Sequence, residues 1–284
     1  MSSLSGKLGL IAGGGSLPLE IAAWRKASGL PLFVIRLRSF ADPALEAYES
    51  AEVGIAELGR CFDRLARAGC ETVCFAGNVS RPDFSALKPD LRGLAALPGA
   101  VSAARLGDDA LLRYLMQQFE AEGFTVVGAH EVAGEMLLGA GPAGAHAPDE
   151  VHSADMAKGF EVAGALGALD IGQAVVVTEG LVLGVEAQEG TDALLRRCAQ
   201  LPEAIRGVPE WPRGVLVKRP KPIQERRADL PTIGVATIEG AAAAGLAGVA
   251  GEAGATLVVD KPAVIAAANR LGLFLMGVEP EAQA

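Results

Sequence analysis

The segment 217–234, VKRPKPIQERRADLPTIG, concentrates five cations, two acids and three prolines. Lys218 and Lys221 flank a proline, whose ring holds them on a stiff, extended stretch of backbone. Arg227 lies close to Asp229 in the same segment. Cations neutralise phosphate oxygens, whereas carboxylates hold a metal ion or orient water. The segment therefore predicts a place where a diphosphate and a metal ion meet, and a solvent-exposed charged loop is the alternative.

A second group of polar residues lies in 170–197, DIGQAVVVTEGLVLGVEAQEGTDALLRR. Its candidate side chains are Gln173, Glu186, Glu189, Thr191 and Asp192. Thr191 is placed to cap a helix, and acids in a first helical turn suit the helix dipole. Capping does not explain three acids so close to Gln173. Such oxygen-rich groups are typical ligands of Mg²⁺ or Mn²⁺, so we expect a functional role for them.

Glycine-rich turns follow two predicted strands. GLIAGGGSLP places Gly13, Gly14, Gly15, Ser16 and Leu17 after the first strand, and FAGNVSRP places Gly77 and Asn78 after another. Glycines let a backbone approach a diphosphate, and the amides at a helix start bind anions. The spacing is neither G-x-G-x-x-G nor that of a P-loop. The turns predict a nucleotide or phosphate site, and a tight connection without a ligand is the alternative.

The elements that must position these residues are of the α/β type. In the first half, apolar strands alternate with amphipathic helices, which predicts a Rossmann-like parallel sheet with helices on its faces. Valine-rich strands around Glu179-Gly180 predict a hairpin, so the second half is α/β with a mixed sheet. The Ala-rich stretch 241–253 is predicted as a helix. We divide the chain into an N-terminal nucleotide-binding domain 1–138, a Gly-Ala-Pro-rich linker 139–150 and a C-terminal catalytic domain 151–284.

Composition excludes several classes of protein. With a formal net charge of -9, the chain lacks the broad basic face that nucleic-acid binding requires. The four cysteines have no C-x-x-C spacing, so we interpret them as small buried residues of a reducing compartment. His130, His146 and His152 lack metal-ligand spacing. No apolar run is long enough to predict a membrane span, which favours a cytoplasmic protein that can touch a membrane surface.

The motifs together resemble a known family. GLIAGGGSLP, DIGQAVVV, VEAQEGTDALLRR, KPIQERRADLPTIG and AGLAGVAGEAGATLVVD, in this order between residues 7 and 277, resemble the bacterial UDP-2,3-diacylglucosamine diphosphatases of lipid A biosynthesis, the LpxI type. The resemblance implies a two-domain enzyme that binds its substrate between the domains. With Mg²⁺, it would hydrolyse the acylated UDP-sugar to UMP and 2,3-diacylglucosamine 1-phosphate (lipid X). The family motif Q-D-x-R-x-D-L-P is matched at Gln224, Arg227 and Asp229, but position 225 is Glu, which argues against an essential role for it.

The resulting expectation is a metal-assisted hydrolase. Asp229 and Asp192 are the expected metal ligands, and Glu189 and Gln173 complete the polar face. Lys218, Lys221 and Arg227 are expected to offset charge on the diphosphate. The two glycine turns are expected to bind nucleotide and substrate, and so are Thr191 and Gln224. The protein should lie at the cytoplasmic face of the inner membrane, and the sequence leaves a homodimer open.

Two other functions remain as alternatives. A non-catalytic sensor of nucleotides or nucleotide sugars would need the cations but would have no use for Asp192 and Asp229. A nicotinamide-dependent oxidoreductase would need a different glycine spacing and a ribose-binding acid at the expected distance.

Overall fold

The computed structural model describes residues 5–80, 83–222, 225, 227 and 230–279. The chain divides into two compact units. Unit 1 comprises Met1–Gly134 and Glu225–Asp229, and unit 2 comprises Glu135–Gln224 and Leu230–Ala284. The predicted two-domain α/β class, with a parallel sheet followed by a mixed sheet, is confirmed.

Unit 1 is built on a five-stranded parallel sheet. Its strands are β1 (Leu8–Ala12), β2 (Leu32–Leu37), β3 (Ser50–Val53), β4 (Thr72–Ala76) and β5 (Thr125–Val127). Its helices are α1 (Leu17–Ala27), α2 (Leu58–Arg67), α3 (Leu91–Ala104), α4 (Asp108–Ala121) and the short α5 (Ala129–Val132). The strand order is β3-β2-β1-β4-β5, and every neighbouring pair is parallel.

The helices of unit 1 cover the sheet through apolar stripes. α2 buries Leu58, Phe62 and Leu65, which recur at helical spacing and face β2 and β3. Phe62 and Phe75 each meet the ring of Phe119 from α4 edge-on, at centroid distances of 4.9 and 5.0 Å. These three aromatic rings therefore tie α2 and α4 to strand β4 of the sheet.

Unit 2 is built on a six-stranded mixed sheet. The strands of unit 2, which include two outside this sheet, are β6 (Gly141–Pro142), β7 (Ala174–Thr178), β8 (Leu181–Val185), β9 (Val215–Lys218), β10 (Thr232–Ile233), β11 (Gly248–Glu252), β12 (Leu257–Val258) and β13 (Phe274–Val278). Its helices are α6 (Glu150–Ala168), α7 (Thr191–Cys198), α8 (Val235–Ala243) and α9 (Lys261–Leu271). The sheet order is β6-β13-β11-β9-β7-β8, and β10 and β12 form a separate parallel pair.

Alternate residues of the central strand β9 face opposite layers. Val215 and Val217 pack with Met156 of α6, whereas Leu216 packs with α7, α8 and α9. On β7, Val175 and Val177 likewise face α6. This sheet is therefore covered by helices on both faces, which explains why its strands are continuous apolar runs.

The predicted hairpin is present, with Glu179 and Gly180 both at positive φ in its turn. The predicted helix over 241–253 is wrong, because α8 ends at Ala243 and strand β11 follows. The predicted linker residues belong to unit 2, where β6 pairs with β13. Across the described part of the chain, no helix combines the length and apolar character that crossing a bilayer requires.

Candidate active site

The two glycine turns of unit 1 meet at the carboxyl edge of its sheet. The amide of Gly13 donates to the carbonyl of Ala76, and Gly14 and Asn78 exchange two backbone hydrogen bonds of 2.8 Å. Gly77 has φ +87°, and a Cβ there would lie 2.5 Å from the carbonyl oxygen of Gly14. Only glycine fits this approach, so the first turn is fixed to the second by backbone contacts.

These turns lie where the strand order of unit 1 reverses. Helix α1 leads from β1 to β2 on one side, and α2 leads the chain back to β4 on the other side of β1. Open α/β sheets bind ligands in the crevice at such a switch point, outside the carboxyl ends of the strands. The location therefore favours a ligand site beyond Gly13–Ser16 and Gly77.

The exposed end of the first turn is Gly15, Ser16 and the start of α1. Ser16 occupies the N-cap position, but its side chain makes no capping hydrogen bond. Its φ and ψ of -83° and -21° are already helical, whereas a capping side chain requires extended backbone. Leu17 begins the helix and is half-buried. The amides at this end, with the positive end of the helix dipole, form the part of the turn that suits an anion.

A second polar edge lies at the carboxyl end of β9 in unit 2. Lys218 ends β9 beside Gly251 of β11 and Ala174 of β7. Because β7 runs antiparallel to β9, its preceding residue Gln173 lies at this same edge, and its carbonyl accepts from the Arg219 amide at 2.9 Å. Glu186 follows β8 and Glu252 ends β11. The register thus gathers acids, cations and an amide at one edge of the mixed sheet.

Glu186 is a buried acid that organises the predicted polar group. Its carboxylate accepts from the Thr191 hydroxyl at 2.5 Å and from the Gln173 backbone amide at 3.1 Å. The sequence predicts Thr191 as the cap of α7, but the N-cap residue is Gly190. Thr191 instead directs its hydroxyl towards Glu186. The side-chain oxygen of Gln173 is buried and makes no hydrogen bond to a described residue. That amide oxygen is a candidate ligand-binding group.

Glu189 and Asp192 lie on the outside of the same corner. Glu189 accepts from Arg197 at 2.9 Å and from the Ala187 amide at 3.1 Å. Hydrogen bonds, first from its own backbone amide and then from Arg197, lower the pKa of Glu189. Asp192 is exposed in the first turn of α7. Both carboxylates are thus accessible, and Glu189 already has a cationic partner.

The predicted phosphate-binding lysines have partners within unit 2. Lys218 is buried at the end of β9, not on an exposed loop, and its ammonium donates to the Thr232 carbonyl at 2.8 Å. Lys221 pairs with Asp170 at 2.6 Å, and both side chains are largely buried. Arg219, which the sequence analysis did not single out, pairs with buried Glu252 at 3.4 Å.

Arg227 belongs to unit 1 and lies among its acids. Its guanidinium forms a two-point contact with Glu225, with both N–O distances 3.0 Å, and donates to Glu120 at 2.9 Å. The backbone amide of Glu225 donates to the buried Asp109 at 2.8 Å. Glu225 therefore holds Arg227 in place, a role that its sequence position did not indicate.

Comparison with known proteins identifies the family. The model of the LpxI N-terminal domain matches residues 7–136, and that of the LpxI C-terminal domain matches residues 139–276. The chain belongs to the LpxI family. The UDP-2,3-diacylglucosamine pyrophosphatase LpxI of Caulobacter vibrioides (strain ATCC 19089 / CIP 103742 / CB 15) is 63% identical over 275 residues, which cover 97% of this chain and 98% of that protein. The family that the motifs indicate is thus confirmed.

Two of the predicted site residues of this LpxI-family chain, Asp229 and Gln224, lie outside the described residues. Within the described ranges, no group of three or more His, Cys, Asp or Glu side chains is arranged to hold a metal ion. The assignment of Mg²⁺ to Asp229 and Asp192 therefore stays a prediction. Of the two, Asp192 offers an accessible carboxylate oxygen, the donor type that Mg²⁺ prefers.

Sequence reasoning missed the acids that partner the cations. Asp109, Glu120 and Glu252 lie far in sequence from the residues they hold, so no local pattern connects them. A usable signal did exist for Glu252, which is an acid at the end of the apolar run GLAGVAGE. His130, which lacks metal-ligand spacing in the sequence, has a buried Nδ1 that makes no hydrogen bond to a described residue, and its ring lies over Gly128.

Proposed function

We propose that this LpxI-family chain is a hydrolase that cleaves the diphosphate of UDP-2,3-diacylglucosamine and releases UMP and 2,3-diacylglucosamine 1-phosphate (lipid X), a step of lipid A biosynthesis. The observation that carries the proposal is 63% identity to the Caulobacter pyrophosphatase over 97% of this chain and 98% of that protein. Because the similarity spans both units, it includes every segment to which the sequence analysis assigns a role.

The uridine nucleotide is assigned to unit 1. The glycine turns lie at the switch point of the parallel sheet, which is the usual ligand position in this class of fold. Gly15, Ser16 and the first amides of α1 suit a phosphate oxygen, and Gly13 and Gly77 allow the two turns to approach each other closely at this edge.

Asp229 is proposed to orient the attacking water and, with Asp192, to hold Mg²⁺. Bound there, Mg²⁺ would offset the charge of the diphosphate and polarise its phosphoryl oxygens. Glu189 extends this acidic face, and hydrogen bonds from its own backbone amide and from Arg197 lower its pKa. Phosphoanhydride hydrolysis needs little covalent help from a protein, so position and charge are the main contributions of these residues.

Lys218, Lys221 and Arg227 are the cations assigned to the diphosphate. Each now interacts with a protein acceptor, namely the Thr232 carbonyl, Asp170, and the Glu225–Glu120 pair. A phosphate oxygen must therefore share or replace that acceptor. Lysine does this readily, because its three rotatable N–H donors can serve a protein oxygen and a phosphate together.

The substrate carries two acyl chains, so the protein is proposed to work in contact with the cytoplasmic face of the inner membrane. Acyl chains partition into a bilayer at about 0.8 kcal/mol per buried CH₂. A hydrolase with such a substrate must therefore approach a lipid surface to meet it.

The test is hydrolysis of UDP-2,3-diacylglucosamine by the purified full chain in ¹⁸O-labelled water, with and without Mg²⁺. Mass analysis of both products should find UMP and lipid X, with the label in lipid X if water attacks the phosphorus next to the sugar, as the family resemblance suggests. Label in UMP would move the attack to the other phosphorus. Binding of the UDP-sugar without release of UMP would instead favour a nucleotide-sugar sensor.

A further inference from the structure

Helix α3 of unit 1 turns two of its three leucines outward. Leu91 is 87% exposed and Leu94 is 57% exposed, and Ala95 and Pro98 complete the same face. Leu106, two residues beyond the helix, is 81% exposed. The inward face instead consists of Gly93, Ala96, Ala100 and Ala104. This arrangement is the reverse of the usual surface helix, whose large apolar residues face the core.

The orientation of α3 is fixed by close packing on its inner side. A Cβ at Gly93 would fall on the carbonyl oxygen of Ala56, and one at Gly99 would fall on the ring of Tyr114. Tyr114 also donates to the carbonyl of Ala96 at 3.0 Å. Because leucines cannot fit on this inner side, rotation of the helix cannot bury Leu91 and Leu94. We name Leu91, Leu94, Pro98 and Leu106 the α3 leucine face.

Cations border the leucine face. Lys88, Arg92 and Arg105 lie on or beside α3, whereas the acids Asp83 and Asp108 lie just beyond the two ends of the segment 84–107 and Asp109 is buried against Arg113. Asp90 is turned inward, where its carboxylate accepts from the amides of Gly93 and Arg60. Lys88 and Arg105 are exposed and make no ion pair with another described residue. Arg92 pairs with Glu122 and is otherwise exposed.

We propose that the α3 leucine face lies against an anionic lipid bilayer and inserts Leu91, Leu94 and Leu106 at its surface. An exposed helix with leucines on one face and lysine and arginine at its borders has the composition of an interfacial helix. The 14 residues of α3 would lie along the interface for about 21 Å. The proposal rests on the lipid substrate of the proposed function for the choice of a membrane as occupant. A second copy of the chain is the competing occupant.

Flotation of the full chain with vesicles tests the proposal. The protein should float with vesicles of equal parts phosphatidylglycerol and phosphatidylcholine, and much less with phosphatidylcholine alone. The double variant Leu91→Ser, Leu94→Ser should lower the partition coefficient at least tenfold, since burial of two leucines accounts for roughly that factor or more. Lys88→Glu with Arg105→Glu should abolish the preference for phosphatidylglycerol. Each basic residue near an anionic surface raises the membrane partition coefficient about fivefold.

Matched controls are available elsewhere on the surface. Leu169→Ser with Leu181→Ser removes two exposed leucines of unit 2, and Arg64→Glu with Arg67→Glu reverses two exposed charges of α2. Both controls should float like the wild type. The proposal is overturned if the controls lose flotation as much as the leucine and charge variants do, or if the wild type does not float. It is also overturned if analytical ultracentrifugation finds a dimer that the Leu91→Ser, Leu94→Ser variant dissociates. Hydrolysis of detergent-solubilised substrate, measured on the same variants, should be unchanged and tests the proposed function separately.

Discussion

The carboxylate of Asp109 accepts a hydrogen bond from the backbone amide of Glu225, 2.8 Å away and 116 residues further along the chain. The side chain of Glu225 in turn holds Arg227, whose guanidinium also contacts Glu120. This chain of contacts attaches residues 225 and 227 to unit 1, although the residues on either side of the segment belong to unit 2. Asp229, the proposed catalytic residue, follows two positions after Arg227.

The Glu225–Arg227 pair predicts a pH-dependent contribution to stability. The hydrogen bond from Arg227 is the largest cause that lowers the pKa of Glu225 from its ordinary value of 4.5. Below that value the unfolded state takes up a proton before the folded state does, so stability falls as pH decreases through the folded pKa. Glu225→Gln should cost about 1–2 kcal/mol at pH 7 and progressively less below pH ~4.5. Urea unfolding at several pH values checks this, and a pH-independent difference would contradict it.

Asp229→Ala should remove most of the activity while it leaves substrate binding largely intact. Loss of a catalytic group typically lowers kcat by about 10²–10³. Steady-state kinetics on the acylated UDP-sugar measures it. Asp63→Ala, at an exposed aspartate of α2, is the control. If Asp229→Ala retains more than about a tenth of the activity, which is only ~1.4 kcal/mol of barrier, another carboxylate is catalytic.

Thr191→Val should destabilise unit 2, because it removes the hydroxyl that donates to the buried Glu186. An unsatisfied buried acceptor costs about 1–3 kcal/mol, although the Gln173 amide continues to donate to the same carboxylate. Thr191→Ser keeps the hydroxyl and should retain most of the stability. Equal unfolding midpoints for Val and Ser would mean that this hydrogen bond contributes nothing.

Gly14→Val should raise the apparent KM for the UDP-sugar more than it lowers kcat. A Cβ at this position would lie 3.2 Å from the Phe40 carbonyl and 3.5 Å from that of Asn78, so the turn must shift. The shift would move the amides that are proposed to bind phosphate, which affects binding more than chemistry. Gly6→Val is the control, since no atom lies within 4 Å of its added Cβ. An unchanged KM would place the nucleotide elsewhere.

Activity should require a divalent cation, with Mg²⁺ or Mn²⁺ effective and Zn²⁺ poor. The proposed ligands are carboxylates, which are hard oxygen donors, and neither histidine nor cysteine accompanies them in the sequence motif. Exhaustive chelation followed by re-addition of single metals measures this dependence. Full turnover in the chelated enzyme would refute the requirement.

The sequence predicts the helices and strands whose apolar residues recur with a clear period. The prediction fails where small residues such as glycine and alanine obscure this period. GVAGE of β11 was assigned to a helix because glycine and alanine carry no periodic signal. These residues are small because the ring of Phe274 covers Gly248, and the side chain of Thr256 lies against Gly251, where a Cβ would be 2.7 Å from its hydroxyl oxygen. Such packing partners come from other parts of the chain and leave no trace in the local pattern.

In the candidate site, too, the local sequence does not reveal the packing and hydrogen-bond partners of a residue. Residue type and spacing were sufficient to select Lys218 and Thr191 as polar residues of interest, but not to identify their partners. Lys218 is buried because β9 lies in the centre of the sheet, and Thr191 turns to Glu186 because Gly190 takes the cap. Both outcomes depend on tertiary structure, which overrides local preference.

The return of residues 225–229 to unit 1 has a consequence for biosynthesis on the ribosome. Unit 1 cannot acquire this segment until the 90 residues Glu135–Gln224 have been translated, which takes roughly 5–20 s at ordinary elongation rates. During that interval Asp109 and Glu120 lack the Glu225 amide and the Arg227 guanidinium. The nascent unit 1 therefore lacks these contacts during that interval, and the segment can dock only after the core of unit 1 and most of unit 2 have been synthesised.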